Sequence, residues 1–363
     1  MNQKGWLLLA DGTLYEGVRM GADKEVSAEL VFTTGMGSYL ETLTDPSFRG
    51  QIVIQTFPTI GNYGVIPADF ESKGPGLSGY VVRELCDFPS NFRCEGTLND
   101  WLAARGIPVL TGVDTRSLTR RIRSAGVMNA ALLAEKPEDL PAAAARLKAL
   151  PFHPSVADVT CGAVQPGGEG ARHVVLWDFG AKANIQRELE KRGCAVTVVP
   201  ADTAAEAILA LKPDGLMLSN GPGDPADNTG IIAELKKLCG AGLPIFGICL
   251  GHQLLALSRG AKTVKLKYGH RGANQPARDL VTGLCYMTSQ NHGFAVDCDT
   301  LPGGARLRFV NANDGTCEGI DYTDMPAFSV QFHPEACGGP LDTRFLFDRF
   351  VDMMEVKKHA AEC

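Results

Sequence analysis

The stretch that decides the fold of the second half of the chain is LPIFGICLGHQLLALSRG, residues 243–260. Its apolar beginning predicts a buried strand, and leucines at helical spacing predict a helix that ends before Gly260. Cys249 lies at the corner between the two elements, with Gly247 and Gly251 two residues away on either side. A strand, a tight turn and a helix are therefore expected here, with a thiol at the turn.

The pattern G-x-C-x-G at a strand-to-helix turn is the thiol counterpart of the G-x-S-x-G nucleophile elbow. Such a turn is tight, so the close neighbours of the nucleophile must lack side chains. A thiol beside a helix N-terminus is favoured as thiolate, and the backbone amide of Leu250 would point at an oxyanion beside the sulfur. The stretch therefore predicts a nucleophilic Cys249. The alternative is a core cysteine in a tight turn.

A nucleophilic cysteine needs a base, and the base needs an orienting group. Among the seven histidines, His333 follows the apolar run AFSVQF and precedes a proline and Glu335. A histidine at a strand end lies where sites assemble in open α/β sheets, and the nearby carboxylate can hold its Nδ1. His252, one turn along the predicted helix, and His292, in SQNHGF, are the competing bases. We expect a triad of Cys249, His333 and Glu335.

The pattern of apolar runs predicts two domains. From residue 172 onward, short apolar strands alternate with helices, which indicates an open, mainly parallel sheet with helices on both faces. Short alternating runs with glycine turns fill the first 130 residues and indicate a mixed α+β domain. A Pro/Gly-rich segment separates the two halves. We therefore expect an N-terminal domain over residues 1–150, a linker over 151–171 and an α/β domain over 172–357.

The composition excludes several classes of protein. The chain has 363 residues, 45% of them hydrophobic, and a net charge of −6. The basic block TRRIR at 119–123 is too short to indicate nucleic-acid binding. The apolar run near the N-terminus is too short for a signal peptide, and no run could span a membrane. Eleven cysteines without a C-x-x-C pair argue against disulfides or a metal site and favour a cytoplasmic protein with reduced thiols.

Several motifs together resemble known families. GICLGHQ, FHPEA and SNGPGDP are similar to the class I, triad-type glutamine amidotransferase domain over about residues 172–357. FTTGMGSYLETLTDPSFRGQIV, IGNYG, SNFR and GVDTRSLTRRIR resemble the small chain of glutamine-hydrolysing carbamoyl-phosphate synthase. The motifs occur in the expected order, and the resemblance covers essentially the whole chain.

The resemblance implies that the chain hydrolyses the side-chain amide of L-glutamine. Cys249 would form a γ-glutamyl thioester, His333 would take and return the proton, and Glu335 would orient His333. His292 would then be structural. The positions that match glutamine-binding or oxyanion-hole residues are Ser47, Gly221, Gly223, Leu250, Gln253, Asn291, Gly293 and Phe294. From sequence alone Ser47 is a turn or N-cap residue, so its place in the site depends on the resemblance.

The resemblance also implies a partner. No P-loop occurs, so this chain is expected to hold no cofactor. A large synthetase chain would use ATP, Mg²⁺ and bicarbonate to make carbamoyl phosphate from the ammonia, for arginine or pyrimidine synthesis, and the N-terminal half would dock to it. A free-standing cysteine hydrolase and a non-catalytic regulatory subunit are the alternatives. Cys337, two residues after Glu335, is a second thiol that could be oxidised with Cys249.

Overall fold

The computed structural model describes residues 3–362, with side chains described as far as Val356. It divides into two compact units, Met1–Pro154 and Ser155–Cys363. The division falls inside the segment predicted as a linker. Most of that segment belongs to the second unit, where Val156 packs into the hydrophobic core.

The first unit is built on a closed barrel of seven strands in the order β1-β2-β8-β6-β4-β3-β9. The barrel closes because β9 pairs antiparallel with both β1 and β3, so no strand edge is left open. The expectation of a mixed α+β domain did not include this closure. The elements of the unit are β1 (Lys4–Leu9), β2 (Leu14–Gly21), β3 (Val26–Thr33), α1 (Tyr39–Thr44), β4 (Gln51–Gln55), β5 (Thr59–Ile60), β6 (Gly79–Val81), β7 (Glu84–Leu85), α2 (Leu98–Ala104), β8 (Pro108–Thr111), α3 (Thr115–Ala125), β9 (Met128–Leu133) and α4 (Leu140–Ala149).

The second unit contains one nine-stranded sheet in the order β11-β10-β12-β13-β18-β17-β16-β14-β15. Its elements are β10 (Arg172–Asp178), α5 (Ala183–Glu190), β11 (Cys194–Pro200), α6 (Ala205–Ala210), β12 (Gly215–Leu218), α7 (Thr229–Cys239), β13 (Ile245–Ile248), α8 (Leu250–Ser258), β14 (Thr263–Asp279), β15 (Cys285–Val296), β16 (Ala305–Asn311), β17 (Cys317–Tyr322), β18 (Ala327–Val330) and α9 (Phe345–Glu362).

The sheet is mixed, so the prediction of a mainly parallel sheet is correct only in part. The strands β11, β10, β12, β13 and β18 are parallel neighbours. The pairings from β18 through β17, β16 and β14 to β15 are all antiparallel. The physical reason is connectivity: β14 leads to β15, β16 to β17 and β17 to β18 through short connections without crossover helices, and neighbouring strands joined in that way are antiparallel.

Helices cover both faces of the sheet, as the alternating pattern indicated. Successive residues of each strand point to opposite faces, so Trp177 packs into one core with residues of α6, α7 and α8. Leu176 packs into the other core with residues of α5 and α9. Among residues 3–362, no helix is both long and apolar enough to cross a membrane.

Candidate active site

The turn that carries Cys249 is strained and closely packed. Cys249 follows β13 directly and is the N-cap of α8, with φ 53° and ψ −102°. Residues other than glycine rarely adopt this backbone conformation. A Cβ atom on Gly251 would lie 2.5 Å from the carbonyl oxygen of Leu218, and one on Gly247 would lie 2.8 Å from that of Gly251. Main chain therefore occupies the space on both sides of the cysteine, which explains the two glycines.

The same G-x-C-x-G pattern occurs a second time, at residues 315–319, and it has a different meaning there. Cys317 is the first residue of β17 and is fully buried. Its Sγ lies 3.9 Å from Nε2 of His252, within the core. The pattern alone therefore does not mark a nucleophile. The strand-to-helix turn at Cys249 distinguishes the two sites.

His333 and Cys249 leave the sheet at the same edge. The strands β13 and β18 are parallel neighbours, with Ile248 opposite Val330. The backbone N–H of Cys249 donates to the carbonyl of Val330 at 2.9 Å, and His333 follows Val330 by three residues. Because carboxyl ends of adjacent parallel strands form one edge, the thiol and the imidazole are brought to a common place.

A short hydrogen bond joins His333 to Glu335. Nδ1 of His333 lies 2.7 Å from Oε1 of Glu335, and both side chains are buried. Within the described residues, Nε2 of His333 has no hydrogen-bond partner. A carboxylate on Nδ1 fixes the imidazole with its proton on that nitrogen. The lone pair of Nε2 is thus available for a proton.

Electrostatics keep Glu335 ionised. Burial favours its neutral form, but attraction to His333 and to Lys182, together with the hydrogen bond from His333, lowers the pKa of Glu335 to about 2. Nζ of Lys182 lies 3.3 Å from Oε1 of Glu335. The sequence analysis did not identify Lys182. The available signal was its position just after β10, at the same carboxyl edge of the sheet.

Four of the residues matched to glutamine binding lie around the elbow. Nε2 of Gln253, on α8, donates to the carbonyl of Phe294 at 2.8 Å, and Sγ of Cys249 lies 3.7 Å from the carbonyl oxygen of Asn291. Gly293 lies between these two residues of β15. The helix that begins at the thiol and the QNHGF segment are therefore in direct contact.

Three more of the residues matched by family resemblance lie outside β15 and α8: two in the loop after β12 and one in the first unit. A Cβ on Gly221 would lie 2.7 Å from Cδ2 of Leu250, the first residue of α8, and Gly223 has φ +90°. The loop after β12 thus approaches the elbow with two residues that need glycine. Ser47 belongs to the first unit, in the 3₁₀ turn Pro46–Phe48, where its N–H bonds to Oδ1 of Asp45 at 2.9 Å.

The competing histidines have partners inside the fold. Nδ1 of His252 lies 2.8 Å from Oγ of Ser329, and burial lowers the pKa of His252 to about 3. Nδ1 of His292 lies 2.8 Å from the carbonyl oxygen of Phe294, and burial is the main cause that lowers its pKa. Both rings are therefore neutral groups, one held between α8 and β18 and the other within β15.

One cluster in the described part of the chain has the spacing of metal ligands. Ligand atoms of His270, His292 and Glu318 lie within 4.8 Å of one another. Nδ2 of Asn311 lies 3.1 Å from Oε1 of Glu318 and 3.4 Å from Nδ1 of His270. The amide thus already bridges two of these side chains.

The second thiol near the triad, Cys337, is exposed and hydrogen-bonded. Its Sγ accepts from Nδ2 of Asn184 at 3.0 Å and from the guanidinium of Arg344 at 3.2 Å. Its oxidation together with Cys249 stays a prediction.

Comparison with known proteins gives both units a family. The family described as glutamine amidotransferase class-I matches residues 175–353, and this match sets the class of the second unit. The carbamoyl-phosphate synthase small chain, CPSase domain, matches residues 7–132. The chain belongs to the family of carbamoyl phosphate synthase small chains.

Relatives of known name are similar to this chain in sequence over nearly its whole length. Carbamoyl phosphate synthase small chains from Symbiobacterium thermophilum and Oceanobacillus iheyensis are 50% and 51% identical, covering 96% and 98% of this chain and 98% and 97% of their own. That of Staphylococcus epidermidis is 49% identical over 98% of this chain and 97% of its own length. The resemblance seen in the motifs is confirmed: the chain is a glutamine-hydrolysing subunit, and a free-standing hydrolase is not favoured.

Proposed function

We propose that Cys249, His333 and Glu335 are the triad with which this small chain hydrolyses the side-chain amide of L-glutamine. The observation that carries the proposal is the 2.7 Å bond from Nδ1 of His333 to Glu335, made at the sheet edge where the strained turn presents Cys249. An oriented base and a thiol at a helix N-terminus are the two requirements for an activated nucleophile.

The proposed reaction has two halves. His333 Nε2 takes the proton of the Cys249 thiol, and the thiolate attacks the amide carbon of glutamine. The backbone amides of Leu250 and Gly221 stabilise the oxyanion, and His333 then gives the proton to departing ammonia. In the second half, His333 takes a proton from water, which attacks the γ-glutamyl thioester. The C–S bond breaks, glutamate is released, and His333 returns the proton to the sulfur of Cys249. Glu335 stays ionised throughout and stabilises the imidazolium.

The glutamine side of the proposal uses the residues matched by family resemblance. Gln253, Asn291 and Phe294 are supported by their contacts around the elbow. Gly223 and Gly293 would let main chain approach the substrate closely, and a role for Ser47 stays a prediction from the family resemblance.

The ammonia is proposed to pass to a large synthetase chain, which would supply ATP, Mg²⁺ and bicarbonate chemistry. Two observations support this partner: the sequence contains no P-loop, and the first unit matches a domain of the small-chain family while holding none of the proposed triad. The carbamoyl phosphate would serve arginine or pyrimidine synthesis in the cytoplasm.

A trapping experiment tests the triad. Acid quenching during turnover of radiolabelled glutamine should leave label on the wild-type chain as the thioester, and none on Cys249→Ser. Label that persists on Cys249→Ser would contradict the assignment. Glutamate release should also rise when the large chain, ATP and bicarbonate are added. Full activity of the isolated chain without any response would favour a free-standing hydrolase.

A further inference from the structure

A buried polar cluster lies beside the proposed site and takes no part in the reaction above. It consists of His270 on β14, His292 on β15, Glu318 on β17, Asp314 before β17 and Asn311 at the end of β16. Apart from Asp314, these side chains are buried. Burying so many polar groups costs free energy unless each is well paired.

The imidazole of His270 is held between two carboxyl groups. Its Nε2 lies 2.9 Å from Oδ2 of Asp314, and its Nδ1 lies 3.5 Å from Oε1 of Glu318. Burial alone would favour the neutral ring, but the bonds and attraction from Glu318 and Asp314 raise the pKa of His270. The ring is therefore fixed from both sides in one orientation.

His270 faces His292 directly across the strand pair. The two residues are partners in the antiparallel register of β14 and β15, and their rings meet edge to face with centroids 5.0 Å apart. His292 in turn donates from Nδ1 to the carbonyl of Phe294 at 2.8 Å. A chain of contacts thus runs from Asp314 through two imidazoles to the main chain of β15.

The ladder between β14 and β15 is irregular at one position of the segment that ends this chain of contacts. The register of β14 and β15 shifts between Lys265 and His270, and Gly293 lies opposite the irregular stretch. Such bulges often occur beside active sites, where they re-aim part of a strand. Asn291, whose carbonyl approaches Sγ of Cys249 at 3.7 Å, and Phe294 flank this stretch. Register pairing with β14 holds Asn291, His292 and Phe294, and the side-chain contacts of His292 add to it beside the irregular position at Gly293.

We propose that His270 is a positioning residue that, through His292, fixes the segment Asn291–Phe294 in the conformation that binds glutamine. The proposal rests on the proposed function, because the segment is assigned to glutamine binding there. It assigns to His270, Asp314 and Glu318 a role in substrate affinity that is separate from the chemistry of the triad.

The test is steady-state kinetics of His270→Asn with glutamine. We expect KM for glutamine to rise by about 10-fold or more, as for the loss of a hydrogen bond to a charged group. We expect kcat to change by less than about 2-fold, because loss of uniform binding raises KM alone. Alkylation of Cys249 by iodoacetamide should keep its wild-type rate. Asp314→Asn should raise KM by a smaller factor, about 3-fold, and serves as the milder variant if His270→Asn does not fold.

His173→Asn is the matched control, because His173 lies on β10 of the same sheet and bonds to Thr197 at 2.8 Å. Its KM should equal that of wild type. Unchanged KM in folded His270→Asn and Asp314→Asn would overturn the proposal, as would equal losses of kcat and kcat/KM. One equivalent of Zn²⁺ bound by wild type but not by His270→Asn would also overturn it, since the cluster would then be a metal site. A wild-type chain that does not hydrolyse glutamine would instead refute the proposed function.

Discussion

The two units of the chain use β-structure in opposite ways. In the first unit the strands close into a barrel, so every strand of the barrel pairs along both of its edges. In the second unit the sheet stays open, and β13 and β18 end side by side where Cys249 and His333 follow. An open parallel sheet has a carboxyl edge at which side chains from distant segments converge. The proposed triad therefore belongs to the open sheet and depends on its carboxyl edge.

The first unit differs also in what it exposes. Phe88 and Phe92 lie in one loop with exposed fractions of 89% and 96%. Single exposed apolar residues are common, but two nearly fully exposed aromatic rings in one short segment are typical of a contact surface. The barrel thus carries an exposed aromatic pair, and the open sheet carries the proposed nucleophile.

The largest effect is expected at the elbow of the open sheet. Cys249→Ser should lower kcat for glutamate release to less than about a hundredth of wild type, because a hydroxyl is a far weaker nucleophile than a thiolate. Cys317→Ser is the matched control, since it alters the other cysteine of a G-x-C-x-G pattern, and it should keep activity. Comparable activity in the two variants would remove Cys249 from the mechanism.

The second-largest loss of kcat is expected when the proposed base is replaced. His333→Asn should lower kcat about 10²–10⁴-fold, the usual loss for a general base. His252→Asn and His292→Asn should keep kcat within about 10-fold of wild type, because both rings are already bonded within the sheet. If His292→Asn were the more damaging change in kcat, the triad would have to be redrawn.

A smaller effect is expected from substitutions in the barrel unit, and it concerns affinity for the large chain instead of kcat. Replacing Phe88 and Phe92 together by serine should weaken binding to the large chain by about 30-fold, as for loss of aromatic hot spots. Glutamate release by the isolated chain should be unchanged. Val281→Ser, an exposed apolar residue of the second unit, is the control for surface hydrophobicity. Affinity for the large chain is measured by calorimetric titration. If all variants bound it equally well, the loop with Phe88 and Phe92 would not be the docking surface.

The smallest effect concerns stability and pH. Burial lowers the pKa of His252 to about 3, below its value of about 6.5 in an unfolded chain. The stabilisation from keeping this ring neutral is therefore complete above pH 6.5 and is lost as the pH falls toward 3. His252→Gln lacks this titration, so its free energy of unfolding should fall less steeply between pH 6 and 4, by up to about 1.4 kcal/mol per pH unit. The measurement is chemical denaturation at several pH values. If the free energies of unfolding of wild type and His252→Gln changed in parallel with pH, the prediction would be wrong.

Local features of the site could be predicted from sequence because they depend on near neighbours. The turn at Cys249 requires its two glycines for steric reasons, and His333 and Glu335 are two residues apart. The pairing of Lys182 with Glu335 depends on two strand ends that are distant in sequence, so no spacing rule reveals it. The closure of the barrel is equally hidden from spacing rules, because it pairs β9 with β1, which lies far away in the sequence. The second G-x-C-x-G pattern shows that even a local signal needs its structural context.

The order of strands along the chain has a consequence for biosynthesis. Although β13 and β18 are neighbours in the sheet, β14 to β17 are made between them. A nascent chain therefore contains Cys249 while His333 and Glu335 are still untranslated, an interval on the order of ten seconds at typical elongation rates. Prematurely terminated chains would carry the thiol but no base. A chain released before residue 333 could not carry out the proposed hydrolysis of glutamine.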